Sequence, residues 1–113
     1  MFKIDVSDTF TWPVKFSIPG DGDVIEGEFT AIWKRPPQSR IEQILNPETR
    51  LTQQELINEF LKGWGEDLGD ADGNPLKFNA TNLAKVLDIG GMRLAIAASF
   101  MEAIGNAGPR IKN

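Results

Sequence analysis

The chain has 113 residues, of which 41% are hydrophobic and 25% charged, and its formal net charge is -4. This length and balance predict one globular domain over residues 1–113, and the acidic charge disfavours DNA or RNA as a partner, because phosphate backbones attract basic surfaces. Cysteine and histidine are absent, which excludes disulfides, thiolate metal sites and the side chain that most often acts as a general base near neutral pH.

The first third of the chain alternates apolar and polar residues, as half-buried strands do. Phe2, Ile4 and Val6 predict a short first strand. A hairpin follows, with alternation in FTWPVKFSI and again in VIEGEFTAIWKR, joined by turn residues at 19–23. Gly27 in the second strand indicates a bulge or a close approach to the backbone. The sheet is expected over about residues 2–35.

Helical signals begin after the proline pair at 36–37 and continue to about residue 105. A short apolar stripe that stops before Asn46 predicts a first helix of about two turns. Thr52 and Glu55 form a capping box for a second helix, and its apolar stripe continues at helical spacing to Trp64. These signals predict an α+β fold, in which a small antiparallel sheet of two or three strands precedes three or four packed helices.

The last two predicted helices follow a glycine-rich acidic loop. Asn79 is a plausible N-cap for the first of them, and the second is predicted from about Met92 to Ile104, ending at Gly105. This final helix is apolar on more than one side, so it is expected to be central or to face a partner. The apolar residues off its main stripe are Leu94, Ala97, Ala98 and Met101. Residues 106–113 are expected to form a loose tail.

The acidic loop is the strongest candidate for a metal site, because Glu66, Asp67, Asp70 and Asp72 supply oxygen ligands. The comparison with a calcium loop fails in detail, since Pro75 would stand where that loop needs glycine. A solvated acidic turn is the favoured interpretation. We therefore expect no cofactor and no enzymatic activity.

Three blocks of the chain carry a recognisable pattern. The first is F-T-W-P-V followed by G-E-F-T-A-x-W-K-R-x-P-Q-S, the second is L-x-G-W-G-E-D-L-x-D-x-D-G-N-P-L-x-F, and the third is N-L-A-K-V-L-D-I-x-x-x-R. Together, in this order and over nearly the whole chain, they resemble a family of small phage tail assembly chaperones. None of the blocks is catalytic.

The resemblance implies a factor that acts while a long-tailed phage or prophage builds its tail. Such chaperones bind the long helical tape measure protein, keep it soluble, help tail tube subunits to assemble along it, and leave before the particle is finished. We accordingly expect a protein of the bacterial host cytoplasm, absent from the mature virion. No apolar run reaches the roughly 20 residues that a membrane helix needs, so no membrane association is expected, and self-association is left open.

Large aromatic and methionine side chains are the best candidates for contact with such a partner. The predicted partner-binding residues are Trp64 and Leu68 beside the acidic loop, and Met92, Phe100 and Met101 in the final helix. Two other functions compete with the chaperone. One is a minor tail or tail-completion protein retained in the virion, and the other is a small Ca²⁺- or Mg²⁺-binding module that uses the acids at 66–72.

Overall fold

A computed structural model describes residues 1–4 and 6–106 of the chain. The elements of this part are β1 (Thr9–Pro19), β2 (Val24–Lys34), α1 (Gln38–Leu45), α2 (Gln53–Phe60), β3 (Leu61–Trp64), α3 (Ala80–Leu87) and α4 (Met92–Gly105). The strands form one antiparallel sheet in the order β1-β2-β3. The predicted α+β class is confirmed.

The hairpin of β1 and β2 is the longest pairing in the sheet, and it confirms the prediction from alternation. Its register runs without interruption from Thr9 opposite Lys34 to Pro19 opposite Val24. At the turn, the Gly20 amide donates to the Asp23 carbonyl at 2.6 Å. The inward residues of the two strands are buried or half-buried, except Ile25 near the turn, which is exposed, and residues of opposite parity are mostly exposed.

Gly27 accommodates the close approach that the sequence indicates. It pairs with Phe16, and a Cβ atom at residue 27 would overlap the Phe16 ring. The ring lies across the bare glycine backbone and packs against Phe29, with ring centroids 6.0 Å apart. The sheet irregularity lies elsewhere, between Ile32 and Trp33, where β2 meets β3.

The predicted continuation of the second helix to Trp64 is wrong. α2 ends at Phe60, and β3 pairs with β2 through Ala31 opposite Trp64 and Ile32 opposite Gly63. Gly63 weakens a helix, while in β3 a Cβ at this position would make only an ordinary contact with the Ile32 side chain, 3.5 Å away. Pairing with the buried strand therefore overrides the local helical spacing, and one strand lies between helices rather than before them.

The predicted first strand is also wrong for the residues that the structure describes. Phe2, Ile4 and Val6 are 81%, 88% and 57% exposed and belong to no strand. A preceding strand would need the outer edge of β1, but α4 lies there and its Ser99 hydroxyl donates to the Pro13 carbonyl at 3.0 Å. The alternating side chains thus find no free edge on β1, the strand that follows them in the chain.

The predicted helix starts are confirmed by their capping bonds. The Glu55 amide donates to Thr52 Oγ1 at 3.1 Å, and the Asn82 amide donates to Asn79 Oδ1 at 2.8 Å. α4 begins after Gly91, whose φ of 92° is in the left-handed region that favours glycine. Of the predicted loose tail, Asn106 is described and caps α4 through its amide and the Glu102 carbonyl. Residues 107–113 lie outside the described part.

The core lies between the sheet and the helices, with α4 against β1 and α2 against α4. The largest fully buried side chains are Trp33, Phe29, Phe60, Phe100, Ile57, Ile96 and Val14. None of the helices in the described part of the chain combines the length and the apolar character that crossing a bilayer requires.

Candidate partner-binding surface

The five predicted partner-binding residues lie in different environments. Phe100, Met92 and Trp64 are buried in the core, while Leu68 and Met101 are half-buried against it. A partner can touch the first three only if the core opens. Met92 and Phe100, predicted as partner-binding residues, are therefore not exposed in this structure, and Met101 is the predicted α4 residue that remains accessible.

Trp64 holds the acidic loop to the sheet. Its indole Nε1 donates to the Leu76 carbonyl at 2.6 Å, and its ring meets Phe78 edge to face with centroids 4.7 Å apart. The Leu76 amide in turn donates to the Leu68 carbonyl at 2.8 Å. Trp64, one of the predicted partner-binding residues, is thus an internal support for residues 65–78.

α4 carries an apolar stripe on the side that faces away from the core. Leu94 is 59% exposed, Ala98 is exposed and Met101 is half-buried. These positions are spaced i, i+4 and i+7, so they lie on one face of the helix. They are three of the four apolar residues that lie off the main stripe of this helix in the sequence. Their helical spacing outside that stripe is the sequence signal that identifies this face.

A hollow of about 460 Å³ lies between the end of α1, the start of α2 and this face of α4. Its apolar lining comes from Ile44, Leu51, Leu56, Leu94, Ala97 and Met101. Asn46, Arg50 and Gln53 contribute polar groups. We call this surface, together with the exposed Ala98, the α4 hollow. An apolar trough with polar groups along one side is the shape that receives an amphipathic helix.

Two further features mark the side of the α4 hollow formed by α1 and the linker to α2. Leu45, the last residue of α1, leaves 48% of its surface exposed. Arg50 holds a φ of 52°, a left-handed conformation that is uncommon and costly for a residue with a side chain. Such backbone strain is more frequent at binding sites than elsewhere.

An ion pair fixes the two helices that form one wall of the α4 hollow. Arg40 of α1 contacts Glu59 of α2 through two hydrogen bonds, Nη2 to Oε1 at 2.6 Å and Nε to Oε2 at 2.9 Å. These bonds lower the pKa of Glu59 and raise that of Arg40. Both side chains remain partly exposed, so the pair contributes more to the orientation of α1 than to overall stability.

The acidic loop uses its carboxylates to hold backbone groups. Asp67 accepts hydrogen bonds from the Thr30 amide at 3.1 Å and the Thr30 hydroxyl at 2.8 Å, and Asp70 Oδ1 accepts from the amides of Asp72 and Asn74. Over residues 1–4 and 6–106, no group of three or more acidic, histidine or cysteine side chains converges as a metal site would require. This arrangement is that of a structured turn.

The Asp67 bond makes an acid-dependent contribution to stability. The hydrogen bond from the Thr30 amide lowers the pKa of Asp67, so the carboxylate stabilises the fold above the ordinary aspartate pKa of about 3.9, and this contribution is lost as the pH falls through the folded-state value. We expect Asp67→Asn to lower the melting temperature at pH 6, and the gap from the natural protein to shrink towards pH 3.

Thermal unfolding followed by circular dichroism between pH 6 and pH 3 measures this gap. Asp72→Asn is the matched control, because it makes the same change in the same loop at a carboxylate that accepts no hydrogen bond from the described residues. A gap for Asp67→Asn that stays constant down to pH 3 would show that the carboxylate charge contributes nothing through Thr30.

Comparison of the chain with protein-family models, with curated proteins and with solved structures finds no match in any of the three.

Proposed function

We propose that this protein is a non-enzymatic phage tail assembly chaperone that binds the tape measure protein through the α4 hollow. The observation that carries the proposal is the outward apolar stripe of α4, Leu94, Ala98 and Met101, beside an apolar trough. The three sequence blocks that resemble small tail assembly chaperones favour the same function. Under this proposal the protein acts in the cytoplasm of the bacterial host and is absent from the mature virion.

The partner chemistry follows from the shape and composition of the α4 hollow. A tape measure protein is long and helical, and before assembly its apolar stripes are exposed to water. A helix of that kind places side chains at i, i+3, i+4 and i+7 into a groove. The α4 stripe repeats at the matching spacing, and Met101 supplies an unbranched side chain that adapts to irregular partners. Covering such stripes lowers aggregation because it removes apolar surface from water.

The ionisable groups of the described residues give no comparable argument for catalysis. The displaced pKa values belong to Arg40, Glu59 and Asp67, and each shift has its cause in a hydrogen bond at the protein surface that holds two elements together. Active sites instead combine displaced pKa values with a cleft that binds substrate. A binding role for the α4 hollow is therefore the stronger inference.

The test is co-expression with the tape measure protein of the phage or prophage from which, under this proposal, the chain comes. We expect the soluble fraction of the tape measure protein to rise several-fold, and this protein to co-purify with it. No gain in solubility and no co-purification would contradict the proposal. Recovery of the protein at a fixed copy number in finished particles would instead favour a structural tail protein.

A further inference from the structure

α1 makes fewer connections to the rest of the protein than the other helices do. Ile44 is its one buried residue, and Leu45 is 48% exposed. The more extensive pairings between elements join α4 to β1 and α2 to α4, and α1 takes part in none of them. Within residues 1–4 and 6–106, the side-chain hydrogen bonds from α1 to another element are the two that join Arg40 to Glu59. One apolar side chain and one partly exposed ion pair therefore do most to hold α1 in place.

A second hollow, also of about 460 Å³, lies on the other side of α1 from the α4 hollow. α1 lines this second hollow with Gln38 and Ile41, whereas Ile44 lines the α4 hollow. α4 lines it with Ala103 and Ile104. Both hollows are therefore bounded by the same two helices, with α1 between them. We call the second one the β1 hollow, because β1 completes its apolar lining with Phe10 and Trp12.

One apolar stripe of α4 runs from the α4 hollow to the β1 hollow. Ala97 and Met101 line the first hollow, and Ile104 lines the second. Their spacing is i, i+4 and i+7, so they lie on one face of the helix. Between Leu94 and Ile104 the helix rises about 15 Å. Without α1, the two hollows would form one groove along this length of α4.

The apolar residues of α1 have the pattern of a helix that binds in a groove. Ile41, Ile44 and Leu45 are spaced i, i+3 and i+4, which is the spacing of groove-binding anchors. Arg40 comes directly before them and meets Glu59 of α2. α1 has only eight residues and leaves a hollow open on each side of it. A longer helix with the same pattern would remove more apolar surface from water than α1 does.

Irregular segments flank α1, so it can move without breaking another helix or strand. Residues 35–37 connect it to β2, and residues 46–52 connect it to α2. Loop residues next to an element are the usual place where a hinge motion is absorbed. A helix of eight residues is marginal in water by itself, and α1 therefore depends on its few contacts to stay folded against α4.

We propose that a partner helix binds along α4 by displacing α1, so that it fills the α4 hollow and the β1 hollow together. The partner that fits is an amphipathic helix with a basic residue directly before apolar residues at i, i+3 and i+4, because it reproduces the pattern of α1. That this helix belongs to a tape measure protein rests on the proposed function. The displacement of α1 does not, because α1 occupies the groove whichever helix binds.

The basic residue of the partner takes the place of Arg40 beside Glu59. Lys34 and Lys62 also lie close enough to help lower the pKa of Glu59. Neither lysine forms an ion pair with this carboxylate in the described part of the chain, whereas Arg40 does so at 2.6 Å. A base that enters with the partner therefore replaces the contact that α1 gives up, and charge-assisted hydrogen bonds of this kind also fix the register of the helix.

Spin labels at Ser39→Cys in α1 and Lys85→Cys in α3 measure the displacement directly. The chain has no cysteine of its own, and both residues are exposed. We expect one narrow label-to-label distance in the free protein, and a broader distribution when an excess of a tape measure segment with the stated pattern is bound. An unchanged distance with the segment bound overturns the inference and leaves the proposed function standing.

A variant of the free protein tests the displacement without any partner. Arg40→Gln combined with Ile44→Ser removes the ion pair and the buried side chain, so the same labels should give the broad distribution while thermal unfolding still shows a folded core. A narrow distance in this variant overturns the inference. If the segment fails to bind but the variant shows the broad distribution, the proposed function is contradicted and the release of α1 is supported.

Arg40→Gln alone tests whether α1 competes with the partner. Loss of the ion pair raises the population with α1 displaced, so the affinity for the segment should rise about two- to fivefold, the effect of an exposed ion pair. Lys77→Gln is the control, because it makes the same charge change at an exposed residue outside both hollows. Unchanged or weaker binding by Arg40→Gln, or an equal gain with Lys77→Gln, overturns the inference.

Two further outcomes decide what occupies the groove. Replacing the basic residue of the segment with glutamine should weaken its binding to the natural protein but not to Glu59→Gln, and an equal loss with both proteins overturns the contact with Glu59. A dimer of the Arg40→Gln protein in sedimentation equilibrium, with no gain in affinity for the segment, would assign the groove to α1 of a second copy and overturn the proposed occupant.

Discussion

Replacing Phe100 with alanine is expected to lower the free energy of unfolding by about 3–5 kcal/mol, the usual cost of removing a large aromatic side chain from a core. Phe100 is fully buried. Its ring centroid lies 4.8 Å from those of both Trp33 and Phe60 and 6.5 Å from that of Phe10. The ring therefore joins both strands of the hairpin to α2 and α4, and the surrounding rigid elements cannot collapse fully into the cavity.

Urea unfolding followed by tryptophan fluorescence measures this loss as a lower midpoint with an unchanged slope. Since domains of this size are stable by about 5–15 kcal/mol, the variant should be partly unfolded or close to it at 37 °C. Leu94→Ala, on the exposed side of the same helix, is the control and should change stability by about 0.5 kcal/mol or less. A loss below about 1 kcal/mol for Phe100→Ala would show that the aromatic cluster does not organise the core.

Replacing Leu94 with glutamate is expected to weaken binding of a tape measure helix by at least about 30-fold, while the protein stays folded. A central contact in an apolar groove contributes about 2 kcal/mol or more to binding, and a buried, unpaired carboxylate adds a desolvation penalty. Leu94 is largely exposed in the free protein, so the same change there costs little stability. Fluorescence anisotropy with a labelled amphipathic segment of the tape measure protein measures the dissociation constant.

Ile89→Glu is the matched control for this variant. Ile89 is also an exposed apolar residue, 40% accessible, and it lies outside the α4 hollow. The Ile89→Glu protein should bind the labelled segment as tightly as the natural protein does. Equal weakening by both variants would indicate a general effect of added negative charge, and no weakening by Leu94→Glu would place the binding surface elsewhere.

The elements that could be predicted from the sequence are those whose signals are local. Strict alternation around a turn predicts the hairpin. Thr52 and Asn79 mark helix starts, because their side chains accept hydrogen bonds from the first turn of each helix. β3 could not be predicted in this way, because Leu61 and Trp64 continue the helical spacing of α2. Their strand conformation depends on Ala31 and Ile32 of β2, which lie about thirty residues earlier in the chain.

The Phe2 to Val6 alternation shows the opposite case. The local signal for a strand is present, yet the neighbouring edge of the sheet, that of β1, is covered by α4, whose Ser99 hydroxyl donates to the Pro13 carbonyl. Strand formation requires a partner as well as a pattern. The sequence alone shows the alternating pattern, but it does not show whether a partner strand is available.

The proposed binding surface was only partly predictable for a related reason. Residue type favoured Phe100 and Met92, but helix phase decides which apolar residues are buried, and the phase of α4 puts both in the core. Leu94 and Met101 were recognised as off-stripe residues, so their exposure was within reach of the sequence. The trough beside them was not, because it depends on how α1 and α2 pack across the linker that contains Arg50.

The most direct test of the chaperone proposal is co-expression of the tape measure protein with the natural protein, Leu94→Glu or Ile89→Glu, followed by measurement of its soluble fraction. The account predicts that the natural protein and Ile89→Glu keep the tape measure protein soluble to the same extent, while Leu94→Glu, expressed at the same level, leaves most of it in the pellet. Equal solubility with Leu94→Glu and the natural protein would contradict the account, because the α4 hollow would then have no part in holding the partner.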